Sequence, residues 1–398
     1  MPMDAATLPD WIQAISQLLL LVIFAALFLG LNQRIQIYMW SRDIRAKLLI
    51  LESMASEARR KTLEYMVANG AKEAESTLQR VIEFFLIMPV DIEPIDIIRR
   101  LDHLIDVRRR RFRGEFERAL PEADSVARSK AETAAEIAGA LNLIFKVVRH
   151  ILLTGEKTRN WILIMQLQLL MPMIMKLAET YRRALNDFLQ GVPIGDSAGP
   201  MVALKLSGYK PDWERVDDET VATEVEFEGR KLVLIKAEGP GSTVGKPGAA
   251  TEKVVKRLIR EGRKPSLMIT VDAALKLEGE ETGSVADGAG AAIGDIGPEK
   301  IRFERIAVEH GIPLRAVIIK MGMEEAILAM NEKIVKGVEE AVERVKDIIR
   351  EESKPGDTVV VIGIGNTVGV GQGPKRKESE EASGDRSDGE VHEGGEVR

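Results

Sequence analysis

The sequence predicts an N-terminal transmembrane helix, an all-α middle domain and a C-terminal α/β domain with a mostly parallel sheet. An uncharged apolar segment lies near the N-terminus, apolar residues then recur at helical spacing to about residue 190, and strand-like and helix-like segments alternate beyond it. The predicted divisions are an extracytoplasmic N-terminus (1–10), a transmembrane helix (11–31), a helical domain (41–190), an α/β domain (191–370) and a disordered tail (371–398).

The N-terminal apolar segment is the basis for the predicted location. Residues 11–31 carry no charge, and about 20 apolar residues span the core of a bilayer. No Lys or Arg precedes them, whereas Arg34, Arg42 and Arg45 follow, so the positive-inside rule predicts a single-pass protein of the cell membrane with its main body in the cytoplasm. A cleaved signal peptide is the alternative, but its basic residues precede the apolar core. We therefore expect the lipid bilayer to be a partner through residues 11–31.

A second apolar run covers residues 161–175. It is about 15 residues long and contains Gln166, Gln168 and Pro172. Runs of this length are more often core helices than membrane spans, so we interpret it as a core helix. A second span is the alternative, and it would move the C-terminal domain to the other side of the membrane.

Composition limits the chemistry. A chain of 398 residues suggests two folded units, and the absence of Cys excludes disulfides, thiolate metal sites and Cys nucleophiles. The net charge of −6 favours no nucleic-acid partner. High Glu, Lys and Arg content is typical of hyperthermophilic proteins. Residues 371–398 are almost free of apolar side chains, which predicts disorder.

The C-terminal half alternates between strand and helix patterns. Residues 223–228 and 231–236 are predicted as paired strands, and a long amphipathic helix is predicted over 323–350. The apolar run 358–364 is typical of a buried parallel strand. Further predictions are a helix at 251–260, a strand at 267–271, a helix at 301–309 and a strand at 316–319.

Three loops rich in Gly and Asp are the candidate binding elements. In open α/β sheets, ligands bind outside the carboxyl ends of the strands, and glycines allow the backbone to approach a ligand closely. Asp272 follows a strand directly, where an acid has few structural roles, whereas Asp196 can also cap a helix and Asp287 can simply occupy a turn. The remaining predicted ligand-binding residues of these loops are Gly195, Gly199, Gly288, Gly290, Gly363, Gly365 and Asn366.

Short motifs in these loops resemble the fold shared by hydrogenase-maturation peptidases and spore germination proteases. The turn Gly363–Asn366 resembles their G-x-G-N turn, and Asp196–Pro200 resembles their D-x-x-G-P loop. Asp272-Ala273 resembles the end of a strand, and Ala286–Gly288 resembles the acidic position of the germination proteases. The turn comes last in this chain, so the resemblance implies a circularly permuted domain whose last strand lies beside its beginning.

The resemblance implies acidic residues that bind a divalent metal or act directly in peptide hydrolysis. It assigns catalytic roles to Asp196, Asp272 and Asp287, and metal binding to the first two. His310 does not match the histidine of the maturation peptidases. The whole chain also resembles an archaeal family of membrane-anchored proteins to which no function is assigned, through stretches such as 84–94 and 190–200.

Two function classes therefore stay open. The first is a membrane-anchored, metal-dependent hydrolase of the peptidase type. The second is a non-catalytic membrane-anchored module that binds a small ligand or a partner protein, and the long helices also allow a homo-oligomer. The run Arg108–Arg111 is interpreted as a solvated helix face or a lipid contact. Gly239–Lys246 fails the spacing of a phosphate-binding loop, although a looser anion site before the next helix stays open.

Overall fold

The computed structural model describes residues 10–28, 31–84, 94–210, 212–294 and 297–373. The predicted extracytoplasmic segment, apart from Asp10, and residues 374–398 of the predicted disordered tail lie outside the described residues. The helical part comes first along the chain, and the α/β part follows it.

The helical part packs around three long helices. Helices α2, α5 and α6 enclose one apolar core, and α3 and α4 pack at one end of it on a second cluster around Phe116. Asp124 and Asn160 cap the N-termini of α5 and α6 by accepting hydrogen bonds from backbone amides, as such residues commonly do. The helices among the described residues of this part are α1 (Asp10–Phe28), α2 (Leu31–Ala68), α3 (Ala74–Ile82), α4 (Pro94–Ala119), α5 (Ser125–Thr158) and α6 (Trp161–Gln190).

Gly155 has a packing role in α5. The helix continues past it to Thr158 and ends at Arg159, whose φ of 52° is left-handed. Gly155 is buried, and a Cβ there would collide with the side chain of Ile164 on α6. The position therefore has to be glycine because α5 and α6 approach closely where the hairpin closes.

The α/β part contains one seven-stranded sheet covered by helices on both faces. Its strand order is β1-β2-β3-β7-β4-β6-β5, with α7 and α11 on one face and α8 and α9 on the other. The elements, after a 3-10 turn at Gly195–Ser197, are α7 (Ala198–Leu206), β1 (Glu214–Asp217), β2 (Thr220–Phe227), β3 (Arg230–Ala237), α8 (Pro247–Arg260), β4 (Leu267–Leu275), β5 (Val285–Ala289), α9 (Pro298–His310), β6 (Leu314–Met321), α10 (Met323–Ile327), α11 (Glu332–Glu352) and β7 (Thr358–Gly363).

The sheet is mixed, so the prediction of a mostly parallel sheet is wrong. β3, β7, β4 and β6 run parallel, but β1–β2, β2–β3 and β5–β6 are antiparallel. The cause is local. Glu228 and Gly229 both have positive φ, which allows a two-residue turn, and such a turn forces the strands on either side to pair as a hairpin.

The prediction of one N-terminal membrane span is also corrected. Among the described residues, the helices long and apolar enough to cross a membrane are α5 and α6, and only 28 % and 22 % of their most apolar windows are buried. The predicted span at 11–31 is not one of them. The sequence interpretation did not recognise α5 as a candidate span because cationic residues interrupt its apolar run. Helix α6 packs on the core through its inner side, but only 22 % of its apolar window is buried, so the interpretation as a core helix covers only that side.

Candidate functional site

The three Gly/Asp loops meet at the carboxyl ends of the central strands. β7 lies between β3 and β4, so its last residues face the turn that opens α7. A Cβ on Gly199 would collide with the carbonyl oxygens of Ile364 and Val271, and one on Gly365 would collide with the carbonyl of Asp196. Gly363 is packed against Gly199 in the same way. These predicted ligand-binding glycines therefore hold the three loops in direct backbone contact.

The first loop is also fixed to the segment before α11. Gly195 lies against the backbone of Glu325, and its amide donates to the carbonyl of Leu328 at 3.1 Å. The side chain of Asp196 makes no helix cap. Its Oδ2 instead accepts a hydrogen bond from the amide of Asn366 at 2.8 Å. The predicted turn at 363–366 thus orients one of the three predicted acids.

The convergence brings Asp196 and Asp272 together. Asp272 is buried, and its Oδ1 accepts a hydrogen bond from the amide of Ala273 at 2.7 Å. Burial raises the pKa of Asp272 well above its ordinary value, and the nearby charge of Asp196 raises it further. Burial also raises the pKa of Asp196, although the hydrogen bond from Asn366 opposes this. Within the described residues, no Lys, Arg or His forms an ion pair with either acid.

Two such carboxyl groups have a defined chemical capacity. Neighbouring buried carboxyls cannot both ionise without a large cost, so one tends to stay protonated while the other is ionised. That combination supplies one proton donor and one proton acceptor at a single position. The same pair can supply two hard oxygen ligands to a divalent cation. Among the described residues, no group of three or more His, Cys, Asp or Glu side chains converges on such an ion.

The structure does not bring Asp287 to this pair. In the sheet register, Asp272 is aligned with Ile318 and Ala286, whereas Asp287 is aligned with Val317. Because side chains alternate along a strand, Asp287 points to the opposite face of the sheet. There it pairs with Arg315 at 3.3 Å and Arg344 at 3.4 Å. The alternating direction of side chains separates two acids that the loop pattern had grouped.

The segment after β5 returns to the pair through residues that the sequence interpretation missed. Gly288 and Gly290 have open space around them and contact neither acid. The amide of Ala292 donates to Thr270 Oγ1 at 2.8 Å, and the backbone of Gly294 is hydrogen-bonded to Asp272. Nothing in the pattern of small residues over 286–294 distinguishes these contacts.

A buried lysine at the same end of the sheet was also missed. Lys236 of β3 is aligned with Gly363 and is fully inaccessible to solvent. Its Nζ donates to the carbonyl of Ala237 at 3.1 Å and lies 5.0 Å from the centre of the Trp213 ring. Burial lowers the pKa of Lys236 to about 8. The available signal was a charged residue directly after the apolar run 232–235 of β3.

Asn366 connects the acid pair to a cleft between the helical and α/β parts. Its Nδ2 donates to Ser242 Oγ at 3.1 Å, and both residues line a cavity of about 440 Å³. A neighbouring cavity of about 260 Å³ shares three charged lining residues with it, Arg113, Glu132 and Glu219. Helices α4 and α5 form one wall, and the loop at 238–245 forms the other. The loops therefore open toward a cleft that both parts of the chain build.

Most charges of this cleft are paired. Arg108 pairs with Glu136 at 2.8 Å, and Arg113 pairs with Asp218 and Glu219 across the cleft. The basic run therefore lines an internal cleft at Arg108 and Arg109 instead of forming only a solvated face. Glu132 forms no hydrogen bond or ion pair within the described part of the chain. Burial and the neighbouring charge of Glu219 raise the pKa of Glu132 to about 8.

The N-terminus of α8 is not an open anion site. Its first free amides, those of Gly248 and Ala249, donate to Glu299 Oε2 at 2.6 and 3.1 Å. A carboxylate of the chain itself therefore occupies the position where an anion binds at a helix N-terminus. This agrees with the failed phosphate-loop spacing of 239–246.

Two family models divide the chain at the junction of its two parts. The N-terminal domain of a protein of unknown function, DUF1512, matches residues 18–191, and the DUF1512 C-terminal domain of unknown function matches residues 194–371. The chain belongs to the DUF1512 family. No curated protein and no solved structure matches it. The acid pair lies within the C-terminal DUF1512 domain, whereas the cleft in front of it is lined by both domains.

Proposed function

We propose that this protein is a membrane-associated hydrolase of the peptidase type that uses Asp196 and Asp272 to activate water. The observation that carries the proposal is the pair itself. Two acids with raised pKa values and interacting charges, Asp272 in the C-terminal half of β4 and Asp196 in the turn before α7, form no ion pair with Lys, Arg or His among the described residues. Such perturbed carboxyls are typical of catalytic acid–base pairs.

The two acids take different roles because their surroundings differ. Asp272 is the more deeply buried and has the more strongly raised pKa, so it holds the proton. Asp196 accepts a hydrogen bond from Asn366, which favours its ionised form. Asp196 then removes a proton from water while the water oxygen bonds to the amide carbonyl carbon, and Asp272 donates its proton to the carbonyl oxygen. Transfer of the proton on Asp196 to the amide nitrogen then breaks the C–N bond, while the ionised Asp272 takes back a proton from one hydroxyl of the intermediate, which leaves a carboxylic acid and a free amine.

Asp196 and Asp272 offer a divalent cation two carboxylate ligands. Mg²⁺ commonly binds through one or two carboxylates and keeps several waters, so Asp196 and Asp272 suffice as its protein ligands. When bound, such a cation lowers the pKa of a coordinated water. With the proton displaced from Asp272, both Asp196 and Asp272 would hold the cation, and Asn366 would keep Asp196 in place.

The topology gives further support. Placing the last strand beside the first loop is what the implied circular permutation of a peptidase-like domain requires. The cleft between the two domains offers a route for an extended substrate, with Ser242 and Asn366 at its inner end. The membrane part of the proposal draws its support from the apolar windows of α5 and α6, of which only 28 % and 22 % are buried.

The test uses the full chain in mild detergent, with fluorescein-labelled casein as substrate and Mn²⁺ as the metal probe. We expect Asp196→Asn and Asp272→Asn to lower hydrolysis by at least about 10²-fold, the usual size of an acid–base contribution. Asp347→Asn, on the exposed face of α11, is the matched control. Electron paramagnetic resonance reports Mn²⁺ binding, and circular dichroism reports folding.

Each outcome separates the function classes. Hydrolysis that both variants abolish, with folding intact, supports the proposal. Casein that stays uncut, together with no change in Mn²⁺ binding in Asp272→Asn, would favour the non-catalytic binding module. Asp287→Asn adds a comparison. The peptidase resemblance predicts that this variant loses activity, whereas the geometry predicts that it keeps it.

A further inference from the structure

An exposed apolar face runs along the hairpin of α5 and α6. On α6 the exposed Ile162, Leu169 and Met173 are separated by about two turns and one turn, which places them on one side of the helix. On α5 the exposed Leu143 and Val147 are likewise about one turn apart. Leu169 and Met173 are 71 % and 66 % exposed, values far from those of a soluble core helix. We call this surface the hairpin face, and its apolar residues are Leu143, Val147, Leu153, Ile162, Leu169, Leu170 and Met173.

The hairpin face is cationic as well as apolar. Between Ile137 and Leu177 the only acidic residue is Glu156, and it pairs with Arg45 of α2 at 2.6 Å. Four basic side chains of this stretch are exposed and form no ion pair within the described residues. They are Lys146, Arg149, Lys157 and Arg159. Apolar side chains beside unpaired Lys and Arg are typical of helices that lie in the interface of an anionic bilayer.

Helix α2 places an exposed aromatic residue near one end of the hairpin. α2 and α6 run side by side in parallel, since Asp43 accepts a hydrogen bond from Gln168 and Lys61 donates one to Asn186. This register places the exposed Tyr38 of α2 beside the beginning of α6. Tyrosine is enriched at membrane interfaces, so an exposed tyrosine at this end of the hairpin agrees with an interfacial position.

We infer that the hairpin face is a docking surface for an anionic lipid bilayer, on which the two helices lie without crossing it. The inference rests on the membrane association included in the proposed function and specifies the surface and the lipid chemistry. The inner sides of both helices pack on α2, and the polar contacts of Arg45 and Asp43 belong to that packing. Only the outer side is free to meet lipid.

The first experiment measures where the hairpin face lies when the full chain binds vesicles. The chain has no Cys, so Leu169→Cys can carry a single environment-sensitive fluorophore. Val308→Cys on α9 is the matched control, because Val308 is 83 % exposed but lies in the α/β part. With phosphatidylglycerol in the vesicles, we expect blue-shifted emission at residue 169 and quenching by lipids that carry a nitroxide near the headgroup. Neither signal is expected at residue 308.

The second experiment tests charge. Reversal of Lys146, Arg149 and Lys157 to Glu should lower vesicle binding by at least about tenfold with phosphatidylglycerol, because each of these cations is attracted to the negative surface and each Glu would be repelled by it. Binding to pure phosphatidylcholine should change little. Reversal of Lys231, Lys333 and Lys336, exposed on the α/β part, is the control and should have a much smaller effect.

Several results would overturn the inference. Vesicle binding with identical signals at residues 169 and 308 would place another surface on the membrane. Quenching strongest at the ends of the lipid chains would indicate a span, and a lipid-independent blue shift that grows with protein concentration would indicate a second copy of the chain. Absence of vesicle binding would refute membrane association as well, while casein hydrolysis in detergent would still test the acid pair.

Discussion

Glu132 forms no ion pair among the described residues, although most other charges of the cleft are paired. Its ionisation is therefore expected to lower the free energy of unfolding in a pH-dependent way. Burial, then the charges of Glu219, Glu136 and Glu117, raise its pKa to about 8, while Arg113 opposes the rise. The folded chain therefore binds a proton that the unfolded chain releases, so stability is lost as pH rises from about 4.5 to about 8. At 1.36 kcal/mol per pKa unit the full shift sets an upper bound of about 5 kcal/mol, and the open cleft reduces this.

We expect Glu132→Gln to raise the free energy of unfolding by about 1–2 kcal/mol above pH 8 and to have little effect near pH 4. Denaturant unfolding of the full chain at several pH values measures this. Glu340→Gln, on the exposed face of α11, is the control. A gain that does not depend on pH would show that the ionisation of Glu132 is not the cause.

For Lys236 we predict the opposite dependence of stability on pH. Its pKa is lowered by burial to about 8, so the folded chain releases a proton that the unfolded chain keeps up to about pH 10.5. Stability linked to this group therefore rises with pH between these two values. We expect Lys236→Met to stabilise the protein by about 1–3 kcal/mol at pH 7, with the gain gone near pH 10.5. Lys231→Met, exposed on the same strand, is the control in thermal unfolding.

At the scale of elements, the contacts between the three loops predict which glycines are essential. Gly199→Ala would push a Cβ into the carbonyl oxygens of Ile364 and Val271, which belong to central strands and their ends and have little room to move. We expect a loss of about 2–3 kcal/mol of stability. Gly114→Ala in α4 meets no atom within 4 Å and should instead stabilise by about 0.5–1 kcal/mol. Equal effects of the two changes on thermal unfolding would contradict the packing argument.

Elements with a strong local pattern were predictable, and their ends were not. The apolar strand at 358–364 and the amphipathic helix at 251–260 are present, with α8 starting earlier at Pro247. The long helix predicted over 323–350 is instead two helices. Asn331 caps a new N-terminus by accepting a hydrogen bond from the amide of Ile334. Leu328–Met330 contact the first loop and the end of α6, which is a long-range constraint that periodicity does not contain.

At the scale of the molecule, the loop pattern identified acids that the fold does bring together, but it did not distinguish among them. Asp196 and Asp272 meet because β7 inserts between β3 and β4, whereas Asp287 shares their loop composition and faces the other side of the sheet. The cleft was not predictable, since Glu132 and Ser242 lie about 110 residues apart in the sequence. Local sequence patterns predict whether a segment is a helix, a strand or a loop, whereas tertiary packing determines which segments come into contact.

The two DUF1512 domains share a core, so we expect them to unfold as one unit. Ile194 and Val368 of the C-terminal domain are buried in the cluster formed by α2, α5 and α6. The amide of Ala329 also donates to Asp187 Oδ2 of α6 at 2.9 Å. Separating the domains would expose this apolar surface and break the hydrogen bond, which couples the stability of one domain to that of the other.

Val368→Ala tests that coupling because it removes buried methyl groups of the C-terminal domain from the helical core. We expect a loss of about 1–3 kcal/mol and a calorimetric transition that stays single but moves to lower temperature. Val361→Ala, which truncates a side chain in the core of the sheet alone, should shift the same single transition. Two resolved transitions in either variant, with only one of them displaced, would show that the domains unfold separately and that the cleft lies between two independent bodies.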